Sequence, residues 1–309
     1  MVIQTLQKQL EQKFNFMKNI IKLKSLSNIV DKYDTFIIDL WGVIHDGKKV
    51  YKHAIDCISK LHKLNKKIII ISNSSKSNLI TINKLKKLGL NIKMFTKIIT
   101  SGEVVLEELR SPTFEWSKNL GNKYYHLSNL LEQNKNEFFK KFNKKLVNNI
   151  NSADFIIASS ANPEISVFEY VPFLKKAYEK NLPLICLNPD YESVERNKYN
   201  QKSICMGSVG RLYEDFGGEV HILGKPSKYI YEKATKSIDN FKKSTTLAIG
   251  DSIPHDIAGA LNFGVKNILI TSGIHSDFLK NKNLDLDQEI EKLTNFNIRP
   301  DYICDKLVF

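Results

Sequence analysis

Arginine is scarce in this chain. Of its 46 basic residues only Arg110, Arg196, Arg211 and Arg299 are arginines, although the formal net charge is +13. A basic surface attracts phosphates from a distance, but base reading and base stacking call for Arg-rich or aromatic-interleaved clusters. The lysines are instead scattered among many asparagines, the bias an AT-rich genome would leave, so a nucleic-acid partner is not expected. Cysteine is also sparse: Cys57, Cys186, Cys205 and Cys304 form no C-x-x-C pair. That spacing gives no zinc or dithiol motif and fits a reducing, cytoplasmic setting. No apolar run approaches the roughly 20 residues needed to span a bilayer, so no membrane span is expected.

A length of 309 residues with 42% hydrophobic content suggests about two domains, or one core carrying an insertion. Residues 1–30 are Lys-rich and place Ile3, Leu6, Leu10, Phe14 and Met17 in a helical rhythm. They read as an amphipathic N-terminal extension; a mitochondrial leader would favour Arg and Ser, and the apolar core of a secretory one is missing.

Apolar β-branched runs then alternate with amphipathic segments, the signature of βαβ units. TFIIDL (35–40), KIIIIS (67–72), KIIT (97–100), TTLAIG (245–250) and KNILIT (266–271) read as buried strands of one parallel sheet. Ala54, Ile55, Ile58, Leu61 and Leu64 mark one face of an intervening helix. KYYHL (123–127), DFIIAS (154–159) and LPLICL (182–187) read as strands of a second α/β unit, with Asn134–Asn151 as a solvated helix and loop within it. The expected architecture is a Rossmann-like, doubly wound α/β core over 31–102 and 219–309 with an α/β cap inserted at 103–218.

Ligands of such sheets bind outside the carboxyl ends of the strands. There the sequence puts Asp39, Ser72-Asn73, Lys225 in GKPS (224–227), and Gly250-Asp251 with Asp256 five residues on. A carboxylate such as Asp39 can attack phosphorus and split hydrolysis into two steps. Lys225, the Ser72 hydroxyl and backbone N–H groups after it can neutralise phosphoryl charge. Asp39 and Asp251 together would repel a dianion unless a cation such as Mg²⁺, which favours oxygen ligands, sat between them. Taken singly, each has a plainer reading: Asp39 as a turn residue, Ser72 to Ser75 as a loop and N-cap cluster, and Lys225 as one solvated lysine among many.

In order, D-L-W-G-V, I-S-N-S, G-K-P-S and G-D-S-I-P-H-D resemble the four motifs of the haloacid dehalogenase superfamily over about residues 30–275. GKPS, LNPD (187–190) and the place of the insertion resemble its class IIA, NagD-like members with a C2-type cap. The resemblance implies a Mg²⁺-dependent phosphatase acting on a small phosphorylated metabolite (sugar phosphate, nucleotide or aryl phosphate) through an aspartyl-phosphate. It implies Asp39, Asp251 and the Trp41 carbonyl as metal ligands, with Asp256 and Ser252 in the outer shell. It also implies substrate contacts from Ser72, Asn73, Ser74 and Lys225, and from the cap through Asn188, Asp190 and Arg211. Self-association through the cap is the one protein contact in view.

This chain departs from the pattern at one position. Most phosphatases of the superfamily carry a second Asp two residues past the nucleophile, where this chain has Trp41. General acid–base catalysis is worth about 10²–10⁴-fold, most for alkyl phosphates whose leaving oxygen needs a proton. Three readings stay open: His45 or Asp46 substitutes, the substrates have good leaving groups, or the protein binds a phosphometabolite with little or no turnover. His45 and Asp46 could equally be turn residues beside Gly47. A dehalogenase attacking carbon is a further alternative, but it needs no metal, whereas the Asp251 and Asp256 pair fits a metal site.

Overall fold

The run Ile68–Ser72 is buried at every position. Consecutive residues of a strand point to opposite faces, so such a run must be covered on both sides. In the computed structural model, which describes residues 20–129, 143–279, 289–290 and 298–309, the faces sort as that rule requires. Phe36, Ile38, Ile68, Ile70, Ile249 and Ile268 pack with Ala54, Ile58 and Leu61 of the helix Lys52–Lys63. Ile37, Ile69, Ile71 and Ile99 pack with Val104, Val105 and Leu109 of the helix Ser101–Arg110 and with Ile230 and Ala234 of the helix Lys228–Thr235. The helix Lys52–Lys63 stops where Asn65 takes a left-handed φ of 55°, a conformation asparagine tolerates at a helix end.

In chain order the strands are β1 (Ile21–Leu23), β2 (Thr35–Ile38), β3 (Lys67–Ser72), β4 (Lys97–Thr100), β5 (Lys123–Leu127), β6 (Lys145–Val147), β7 (Phe155–Ala158), β8 (Leu184–Cys186), β9 (Glu192–Arg196), β10 (Lys202–Ile204), β11 (Val220–Ile222), β12 (Thr246–Gly250), β13 (Lys266–Ile270) and β14 (Tyr302–Cys304). Seven form one parallel sheet in the order β1-β14-β13-β12-β2-β3-β4. A second parallel sheet runs β11-β8-β7-β5-β6, and β9-β10 is a separate antiparallel hairpin. The core is therefore a doubly wound α/β sheet with a second α/β sheet inserted after β4.

Three local expectations are corrected. Residues 21–23 form an edge strand on β14, and Leu26, Ile29 and Val30 join the core, so the sheet begins before residue 31; residues 1–19, with their helical rhythm, lie outside the described residues. Part of the polar Asn134–Asn151 stretch is not loop but β6, paired with β5, followed by a 3-10 turn at Ile150–Ser152. Val220–Ile222 pairs with β8, so the chain leaves the cap sheet past residue 222 rather than at 218. All four cysteines are unpaired and buried, and no helix among the described residues is long and apolar enough to cross a membrane.

Candidate active site

Asp39 follows β2, Ser72 closes β3, and Asp251 follows β12, the strand next to β2. The register that pairs Ile38 with Ile249 and with Ile70 brings these carboxyl ends together. The turn Gly224–Ser227 returns from the cap and delivers Lys225, whose Nζ donates to Asp39 Oδ1 at 2.5 Å and to Asp256 Oδ1 at 2.6 Å. Asp256 Oδ2 accepts from Ser252 N at 3.0 Å, and Asp251 Oδ2 from Ile274 N at 2.7 Å. Asp39, Asp251, Asp256 and Lys225 are all buried to 7% exposure or less, and the three carboxylates offer oxygens within 4.8 Å of one another. Gly42 is needed beside them: its φ is +77°, and any Cβ there would run into Asp251 Oδ2.

Three buried carboxylates face one buried ammonium, which leaves negative charge unbalanced. Burial, then the neighbouring Asp256, pushes Asp39 up to about 7 against the opposing pull of Lys225. Burial with Asp39 and Asp256 drives Asp251 well above the carboxylate range. Burial alone would lower Lys225, but Asp256 and Asp39 outweigh it and hold the lysine charged. An all-oxygen set with excess negative charge fits a hard divalent cation such as Mg²⁺.

A stability test follows from those shifts. Without metal, Asp39 and Asp251 bind protons more tightly folded than unfolded, so folding stability is greatest below about pH 4 on their account and falls as pH rises through about 7. Mg²⁺ replaces those protons, so its stabilisation should be larger at pH 7.5 than at pH 5. Thermal melts with Mg²⁺ and with a chelator at both values check this, and an equal or reversed effect would remove the metal assignment.

The remaining candidates divide. Asp39, Trp41, Ser74, Asn188, Asp190, Lys225, Asp251, Ser252 and Asp256 line one cleft of about 430 Å³. Ser72 and Asn73 lie beneath its surface, each 1% exposed. The Ser72 hydroxyl accepts from Ser74 N at 3.3 Å, and the helix after this loop is capped by Ser77 instead. Asn73 braces the site: its amide accepts from Lys225 N at 2.8 Å and donates to Lys225 O at 3.1 Å and to Asp190 Oδ1 of the cap at 2.7 Å.

Arg211 is not brought to the cleft. It lies exposed on the helix Met206–Asp215, over the Tyr191 ring. His45 and Asp46 are not brought there either, and both serve the turn that follows Gly42. His45 Nδ1 accepts from Gly47 N at 3.0 Å, and burial, then Lys84, lowers its pKa to about 4, so near neutrality it is a neutral imidazole and not an imidazolium acid. Asp46 Oδ1 accepts from Lys48 N and Lys49 N.

Several lining residues escaped the sequence reading. Asn129, Ser159 and Ser160 stand at the carboxyl ends of β5 and β7, so the cap sheet offers its own strand ends to the cleft, by the same rule that located Asp39. The hairpin β9-β10 forms a roof through Glu192 to Asn197. Val194 sits next to Gly42. His255, 3% exposed, bonds Ser252 Oγ through Nδ1 at 2.9 Å and packs edge-on against Tyr191 of the cap.

Comparison with known proteins places this geometry. Residues 36–115 match the family model of the haloacid dehalogenase-like hydrolases, and residues 222–308 match a second, HAD-hydrolase-like model. A 4-nitrophenylphosphatase of Schizosaccharomyces pombe is 22% identical over 276 residues, 84% of this chain and 91% of that protein. A haloacid dehalogenase-like hydrolase from Brucella suis superposes with a TM-score of 0.77 at 25% identity, covering 93% of this chain and all of that one. NagD from E. coli superposes with a TM-score of 0.59 at 20% identity, covering 89% and 97%. The two family matches contain Asp39 on one side of the insertion and Lys225, Asp251 and Asp256 on the other, and the chain belongs to the haloacid dehalogenase-like hydrolases.

Proposed function

We propose that this protein is a Mg²⁺-dependent phosphomonoester hydrolase with Asp39 as nucleophile. The observation that carries this reading is the buried Asp39–Lys225–Asp256 chain beside Asp251 at the floor of one cleft. Asp39 Oδ1 is held by Lys225, and Oδ2 takes no hydrogen bond among the described residues, so one oxygen is oriented and the other is left to attack. Its bond to phosphorus forms as the bond to the leaving oxygen breaks. Water then cleaves the aspartyl-phosphate, releasing phosphate and restoring the carboxylate. Lys225 and the backbone N–H groups from Ser74 onward neutralise the phosphoryl oxygens. Asp39, Asp251 and the Trp41 carbonyl would hold Mg²⁺, which screens the incoming dianion from the carboxylates.

No carboxyl stands at position 41, and the turn occupied by His45 and Asp46 supplies none to the cleft. We therefore assign the best turnover to esters whose leaving group departs as a stable anion, aryl phosphates first. The name of the fission-yeast relative agrees with that choice of substrate. The cap side of the cleft is polar, with Asn129, Ser159, Ser160 and Asn188, which suits a small hydrophilic metabolite.

The test is hydrolysis of 4-nitrophenyl phosphate and a panel of sugar phosphates and nucleotides, with Mg²⁺ and with a chelator. Mg²⁺-dependent release of 4-nitrophenol is expected. A folded protein that binds Mg²⁺ but turns over no ester would make it a phosphometabolite-binding protein. Metal-independent chloride release from 2-chloropropionate would make it a dehalogenase.

A further inference from the structure

The loop after β13 is a junction between cap and core. Ile274 N donates to Asp251 Oδ2 at 2.7 Å, and the carbonyl of the same residue accepts from Lys202 Nζ at 2.5 Å. Lys202 opens β10, in the roof hairpin, and its cross-strand partner is Arg196. Like charges directly opposite one another on a hairpin repel. Here both turn to one acid on the core: Asp277 lies 3.3 Å from Lys202 Nζ and 3.3 Å from Arg196 Nη2. The two cations differ in burial. The Arg196 side chain is 42% exposed, whereas that of Lys202 is 13% exposed and its ammonium reaches past Asp277 to the Ile274 carbonyl. An exposed ion pair contributes little, but a buried charge–dipole bond fixes the backbone it touches. The backbone fixed here is the residue that aims Asp251.

On the reading of Asp251 as a metal carboxylate, we propose that Lys202 is a positioning residue that couples the seating of the cap hairpin to the orientation of Asp251 through Ile274. With the hairpin down, Lys202 holds the Ile274 carbonyl and the Ile274 N–H holds Asp251 Oδ2, which fixes the carboxylate that would ligate the metal. With the hairpin lifted, the loop at 274 loses its cap-side anchor, and metal affinity falls. The cap then controls the metal site as well as access to it.

Lys202→Met keeps most of the stem and removes the ammonium; Arg196→Met removes the other cation on Asp277 without touching Ile274. Calorimetric titration with Mg²⁺ alone, with no substrate present, reads the effect. Lys202→Met is expected to raise the Mg²⁺ Kd about tenfold, the scale seen when outer partners of metal ligands are removed. Arg196→Met is expected to raise it less than about threefold, the scale of an exposed ion pair. In Lys202→Met the rate on 4-nitrophenyl phosphate should recover at saturating Mg²⁺, and Lys202→Arg, which retains a donor, should stay nearer the wild type. An unchanged Kd in Lys202→Met, or equal weakening by both Met variants, overturns the proposal. Wild-type protein that binds no Mg²⁺ overturns it together with the metal assignment, whereas wild-type protein that binds Mg²⁺ but hydrolyses no ester overturns only the enzymatic reading.

Discussion

Asp39→Asn is expected to cut the rate on 4-nitrophenyl phosphate by at least about 10³-fold while leaving the fold intact, because a carboxamide has no charged oxygen to attack phosphorus. The substitution is isosteric, and the amide oxygen can still accept the Lys225 ammonium that now sits 2.5 Å from Oδ1. It also removes one of three buried carboxylates that share a single lysine. Metal-free Asp39→Asn should therefore melt higher than the metal-free wild type at neutral pH, since the carboxylate whose charge burial and Asp256 oppose is gone. Loss of activity combined with gain of metal-free stability is the signature of a functional carboxylate rather than a structural one. A variant that retains more than about a hundredth of wild-type turnover, a ratio far above what loss of a nucleophile leaves, would end the assignment.

Lys225 and Asp256 were legible through the motifs GKPS and GDSIPHD, and the core strands with Asp39 and Asp251 for a plainer reason. Buried parallel strands are apolar throughout, and whatever polar residue follows them stands out. Five short strands were not legible: β1, β6, β10, β11 and β14 are three residues long, too short to carry a period of two. The hairpin β9-β10 was hidden because ESVER and KSI are mostly polar and pack over a cleft rather than a core. Its one signal was the turn at Asn197–Asn200, where Asn200 takes a φ of 61°. His45 and Asp46 misled because closeness in sequence says nothing about direction. Both side chains bond the backbone of their own turn within a few residues of the nucleophile, and neither lines the cleft. The Asn73–Asp190 link joins residues 117 apart, so it belongs to the tertiary structure alone.

Trp41→Asp is expected to raise kcat/KM on alkyl phosphates by about 10²-fold relative to Trp41→Asn, while the two variants differ little on 4-nitrophenyl phosphate. The comparison with Asn separates the acid from the packing. The Trp41 ring lies edge-on to His45 at 5.0 Å and under Lys84 Nζ at 4.4 Å, and a Cβ at Gly47 would stand 2.5 Å from its Cζ3. Removing the ring costs both variants about 1–3 kcal/mol of stability, a cost that cancels between them. Only Asp brings a proton to the leaving oxygen, and only an alkoxide needs one, since 4-nitrophenolate leaves unaided. The parameter must be kcat/KM, which ends at the first irreversible step, because a carboxyl at 41 could also activate the water that clears the aspartyl-phosphate and so raise kcat on both substrates. Asp46→Ala is the control on the other side: it lies in the turn and should leave the alkyl-to-aryl ratio unchanged. If instead Asp46→Ala lowers that ratio and Trp41→Asp does not raise it, the acid already resides in the turn after Gly42, and Trp41 has displaced it rather than removed it.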